Sequence, residues 1–196
     1  MQDQSTPSEA RERVLDAAER LFARRGYAAV TLRDIAAEVG IRHTSLYHHV
    51  PGGKEELFME VMERNFRRHQ QGLTNAIAQA HPEVQAQLYA IADWLLSQPP
   101  MDIVRLNYSD LPSIEPAHAL RLSEMALHTM ILPIMETLAQ AQRRGEIQNP
   151  DVGLVAGGLL GMIESLYAVP TEALVQSRQE MAHHLIDTFL NGLRRH

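Results

Sequence analysis

The chain has 196 residues, 45% of them hydrophobic and 21% charged, which suits one or two globular domains with a buried core. It contains no cysteine, so disulfides, thiolate metal sites and cysteine nucleophiles are excluded. Net charge is −6, yet residues 24–54 carry Arg24, Arg25, Arg33, Arg42 and Lys54 against only Asp34 and Glu38, a local basic balance that suits an anionic partner. No run of about 18 apolar residues is present. The opening Met1-Gln2-Asp3-Gln4-Ser5 lacks a basic patch followed by an apolar stretch. No membrane span or secretion signal is therefore expected, and the expected location is cytoplasmic.

Helical periodicity runs almost throughout, so the expected fold is all-α with about nine helices. Thr6-Pro7-Ser8-Glu9 opens the first helix; Val14, Ala18, Leu21 and Phe22 form its apolar stripe, and Gly26 ends it. Thr31-Leu32-Arg33-Asp34 reads as a capping box for the second helix, with Val30 and Ile35 spaced as a staple and Gly40 as the stop. A short third helix is expected over 43–49, bounded by Pro51-Gly52-Gly53. Two short helices joined at a glycine form a helix-turn-helix pattern.

A long helix follows Lys54, broken by His81-Pro82. The next carries Val84, Leu88, Ile91 and Leu95 and stops at Pro99-Pro100. A short helix is expected near 101–109, then one long helix over 116–144 with Pro133 as a kink or break. Asn149-Pro150 opens another to about 168, and Ser177-Arg178-Gln179-Glu180 caps a last one to about 194.

Residues 11–58 resemble the DNA-binding domain of TetR (tetracycline-repressor) transcriptional regulators. The resemblance rests on Ala17-Ala18, Leu21-Phe22, Gly26-Tyr27, Thr31, Ile35-Ala36, Val39-Gly40, Leu46-Tyr47-His48-His49 and Lys54-Glu55-Glu56-Leu57. It implies an N-terminal three-helix helix-turn-helix DNA-binding domain, 1–53, and a C-terminal helical effector-binding and dimerisation domain, 54–196. It further implies a homodimer on a pseudo-palindromic double-stranded DNA operator, and a repressor released by a small apolar or amphipathic effector. A ligand-independent regulator or an activator is the alternative. A helical interaction module or an enzyme ranks far lower, for no nucleophile elbow, Walker lysine loop, zinc-protease pair or dinucleotide fingerprint is present.

The resemblance assigns DNA contacts residue by residue. Arg42, His43, Thr44 and Ser45 open the recognition helix, where side chains reach base edges. Tyr47, His48 and Lys54 take phosphates. Thr31, at a helix amino end, suits a phosphate, and Arg33 can reach a base. Arg42 departs from the family, which usually has a capping serine there; either the helix starts differently, or the cap is lost and Arg42 points to DNA. His43, His48 and His49 lack acidic or thiolate partners at metal-binding spacing, so neither metal nor cofactor is expected.

In the second domain the expected pocket lies among helices between 84 and 168. Its candidate liners are Trp94, Met101, Tyr108, Met125, His128, Met130, Met135, Met162, Glu164 and Tyr167, since methionine adapts to varied ligands. A buried Glu164 would favour a cation. The last two helices are the expected dimer interface, through Val155, Leu159, Ile163 and Leu166 on one and Met181, Leu185 and Phe189 on the other. The glycines around Gly157-Gly158 read as close helix packing at a subunit interface.

Overall fold

The computed structural model describes residues 9–148 and 151–193. Every regular element among them is helical: α1 (Glu9–Ala29), α2 (Leu32–Val39), α3 (His43–Leu46), α4 (Gly53–Gln79), α5 (Val84–Ser97), α6 (Ile103–Arg105), α7 (Pro116–Ala126), α8 (Leu132–Arg144), α9 (Val152–Ser165) and α10 (Arg178–Leu193). Helical turns run on without a break from α7 to α8, so the expected nine helices are found when these two are counted as one. The helix openings expected at Thr6-Pro7-Ser8 and Asn149-Pro150 lie outside the described residues. None of the described helices is long and apolar enough to cross a membrane.

The chain forms two compact units: residues through Asn65 with Arg105–Leu122, and Phe66–Val104 with the residues from Ser123 on. In the first unit, α1 buries Val14, Leu15, Leu21 and Phe22, and α4 buries Leu57, Phe58 and Val61. Phe58 meets Phe22 edge-on at 5.1 Å and Tyr27 at 4.9 Å, a close aromatic cluster. α1 ends its regular turns at Gly26, whose φ of 76° and ψ of 167° only glycine adopts readily.

Both signals read for α2 are realised. Thr31 Oγ accepts the Asp34 N–H, and the Asp34 carboxylate accepts the Thr31 N–H at 2.8 Å. Gly40 is left-handed, with its own N–H and that of Ile41 turned back onto the last carbonyls of the helix. The third helix is shorter than the expected 43–49. After Leu46 the N–H groups of His48 and His49 bond three residues back, tightening the turn before Val50.

The second unit is a bundle of the distal part of α4 with α5, α8, α9 and α10, its core filled by residues such as Leu88, Ile91, Ile134, Leu138, Leu159, Ile163 and Ile186. A wide turn, Leu127–Ile131, precedes Pro133 and carries the Leu132 N–H to Leu127 O five residues back. The widened turn accommodates a proline that has no N–H and would crowd a regular turn. The expected capping box at Ser177 is present, with Glu180 accepting the Ser177 N–H at 2.8 Å. α9 is capped by Asp151, which accepts from Gly153 and Leu154.

Candidate nucleic-acid interface

The turn into the helix-turn-helix is fixed from three sides within the first unit. Asp110 accepts the Tyr27 N–H at 2.8 Å, and Lys54 Nζ donates to Tyr27 O at 3.0 Å while lying 4.0 Å over the Tyr27 ring. Arg105 Nη2 donates to Phe22 O and Ala23 O, carbonyls left open where α1 stops, and its Nε lies 3.5 Å from Asp110. Glu55 accepts the Glu115 N–H at 3.0 Å and faces His118 Nδ1 at 2.6 Å. The segment 105–122 therefore holds the corner from which α2 and α3 project.

The expected DNA residues stand mainly outward. Thr31, Arg33, Arg42, Thr44, Tyr47 and His48 are exposed, His43, Ser45 and Lys54 are half-buried, and Leu46 anchors α3 in the core. Tyr47 is 50% exposed and carries the His43 ring against it at 5.1 Å. A groove of about 460 Å³ gathers Thr31, Arg33, His43 and Lys54 with apolar neighbours and no carboxylate. Such a lining suits a phosphate. Arg42, Thr44, Ser45, Tyr47 and His48 are not among the groove residues.

Charge around the interface is less free than the basic residues imply. Arg24 and Arg20 approach Glu38, and Arg25 lies 3.5 Å from Asp34. Burial pushes the Lys54 ammonium below its ordinary range, and one of its donors is spent on Tyr27. Arg42 sits at the N-cap of α3 in an extended conformation with no side-chain cap. The cap is thus absent and the Arg42 side chain stands exposed.

The Thr31 hydroxyl, followed by the Thr31 N–H, holds the Asp34 carboxyl below the usual carboxylate range. A depressed acid stabilises the fold above its unfolded value and loses that contribution as pH falls through its folded value. Thr31→Ala should therefore lower stability at neutral pH. The deficit should shrink as Asp34 protonates, which denaturant melts of both proteins across acid pH will read.

The pocket candidates are not one cluster. Tyr108 is 84% exposed on the turn after α6 and belongs to the first unit, which removes it from a pocket in the second. Met130 is fully buried, His128 is exposed, and Trp94, Met101, Met125, Met135 and Met162 are half-buried. Glu164 accepts the N–H groups of Met101 and Asp102, clamping a loop in which Asp102 has a φ of 43°. Burial pushes its carboxyl up, and its Oε2 makes no hydrogen bond. Tyr167 Oη lies 2.9 Å from Leu95 O and 2.6 Å from Gln98 O, so it caps α5, and its phenol is pushed up to about 12, chiefly by burial. Sequence reasoning missed Arg105 and Asp110 in the first unit and His69 in the second.

The interface stripe on α9 needs correcting. Val155, Leu159, Ile163 and Leu166 are all buried within the protomer and cannot meet a partner. The outward residues of α9 are Leu154, 75% exposed, with Gly157, Gly158 and Gly161, where an added Cβ would meet open space. On α10, Met181 and Phe189 are half-buried and Leu185 is exposed. Among the described residues no group of three or more His, Asp or Glu is placed to hold a metal.

Capped α2, glycine turn and outward α3 define a helix-turn-helix protein. Residues 14–61 match the family model for bacterial regulatory proteins, tetR family. A transcriptional regulator of Bacillus subtilis (strain 168), LmrA, is 46% identical over 54 residues, 28% of this chain and 29% of its own. The transcriptional repressor KstR2 of Mycolicibacterium smegmatis (strain ATCC 700084 / mc(2)155) is 40% identical over 75 residues, 37% of each chain. These matches thus span about a third of the relatives' length. The fold of this chain is similar to that of AibR, solved in complex with isovaleryl coenzyme A and operator DNA, with TM-score 0.75 at 19% identity over 92% of this chain and 97% of that one. The likeness to the tetR family of bacterial regulatory proteins is thus carried by residues 14–61.

Proposed function

We propose that the protein is a sequence-specific DNA-binding transcriptional regulator, not an enzyme, acting in the cytoplasm as a homodimer. Two α3 segments enter successive major grooves of a pseudo-palindromic operator, where half-sites one helical turn apart (about 34 Å) require a fixed dimer. The observation that carries this is α3 itself: Leu46 locked inside, Tyr47, Thr44 and Arg42 outside, beside a groove free of carboxylates. Residues 1–53 read DNA, and 54–196 sense the effector and dimerise. This division of labour differs from the structural one, because 105–122 packs with the DNA-reading unit.

Repression follows by linkage: a small effector that prefers the DNA-incompetent state lowers operator affinity by its differential affinity for the two states. A complex of a similarly folded protein with both an acyl thioester and operator DNA supports that pairing of ligands. For the dimer, the face Leu154, Gly157, Gly158 and Gly161 of α9 with Met181, Leu185 and Phe189 of α10 is the contact surface.

Selection of bound genomic fragments followed by gel shift tests this. Thr44→Ala should alter sequence preference, whereas Tyr47→Phe should weaken all bound sequences alike. A chain that ignores duplex DNA at low ionic strength overturns the proposal.

A further inference from the structure

Within the second unit, α4 and α5 bury polar atoms that have no partner. His69 is 1% exposed, and neither its Nδ1 nor its Nε2 makes a hydrogen bond. A neutral imidazole always presents one N–H and one lone pair, so a donor is left unmatched in the interior, a costly arrangement. The His69 ring meets Trp94 edge-on at 6.5 Å, and Trp94 Nε1 is also buried without an acceptor. Burial, with the Arg68 charge behind it, pushes the imidazole down to about 4.

Trp94 also lines a groove of about 440 Å³ along α4, within the range of small-molecule sites. Its polar lining is Arg68, Gln71, Asn75 and Gln79, at helical spacing on one face, with no carboxylate. Trp94 links groove and donors. Its indole lies so close over Gly72 that a Cβ there would fall 1.9 Å from Cζ2 and 2.0 Å from Cε2, the carbon bearing Nε1. Only glycine leaves room for the ring at this position.

We propose that this groove binds a small-molecule carboxylate, its oxygens taking the N–H group of Trp94 and its charge facing Arg68. A carboxylate offers acceptors only, matching the unmet Trp94 donor. A cationic ligand would meet the arginine and find no acid in the lining. The inference deepens the effector reading by naming a ligand class, and its regulatory meaning rests on that reading.

Trp94 is the one tryptophan in the chain, so its emission reports on the groove alone. The full chain is titrated with octanoate below its micelle-forming concentration, and with octanamide and octyltrimethylammonium as neutral and cationic controls. Octanoate should shift the emission saturably, and both controls should bind at least about tenfold more weakly. Arg68→Gln should lower octanoate affinity by about tenfold while octanamide is unaffected. A thermal melt checks that the variant folds. Octanamide or the ammonium matching octanoate, an unchanged emission, or full affinity in Arg68→Gln overturns the proposal. Octanoate that binds but leaves an operator complex intact keeps the site and removes its effector role. Failure to bind DNA at all sinks the regulator reading and leaves carboxylate binding standing.

Discussion

Asp110→Ala should destabilise the first unit by about 3 kcal/mol, the scale for stripping one member from a buried charged pair. Asp110 is 4% exposed and serves two partners, the Tyr27 N–H and the Arg105 guanidinium. Alanine leaves both donors beside an apolar cavity. Arg105 is itself bonded to the end of α1, so the loss propagates to the Phe22 and Ala23 carbonyls. Asp110→Asn keeps an acceptor for Tyr27 and gives up only the charge, so its deficit should be less than half that of alanine. Chemical denaturation followed by loss of operator binding reads both. Equal losses for the two variants would show that charge, not the hydrogen bond to Tyr27, is what Asp110 supplies.

The same corner shows what a sequence discloses and what it does not. Helix ends were legible wherever the signal is local. Thr31 with Asp34, Ser177 with Glu180, and the left-handed Gly40 each act within a few residues and form as expected. Tyr27 and Asp110 are 83 positions apart, and no local pattern announces that they meet. Tyr108 was misjudged for the same reason, because its segment packs with the first unit rather than with its sequence neighbours.

α9 failed differently. Val152-Gly153-Leu154-Val155-Ala156-Gly157-Gly158-Leu159-Leu160-Gly161 is apolar or small all round, so periodicity names no outward face. Its bulkiest stripe went to the protomer's own core, leaving the glycine side outward. The helix-turn-helix was legible because a motif at fixed spacing carried it. Lys54 was only half legible: its reach back to Tyr27 needs the folded corner.

His69 should make the second unit acid-labile in a defined window. Its imidazole, buried and near Arg68, is pushed down to about 4 from an ordinary value of 6.5. The unfolded chain takes up a proton near pH 6.5 that the folded chain refuses until about pH 4. Stability is therefore full above 6.5, falls as pH drops through that window, and levels off below it, by about 3 kcal/mol in all. His69→Leu removes the titrating group together with two unpartnered polar atoms. The variant should be at least as stable as the parent at pH 7 and should pull ahead progressively toward pH 4. Trp94 emission, which reports from the same unit, follows unfolding of both proteins. Parallel pH profiles would mean that His69 is hydrated and titrates normally.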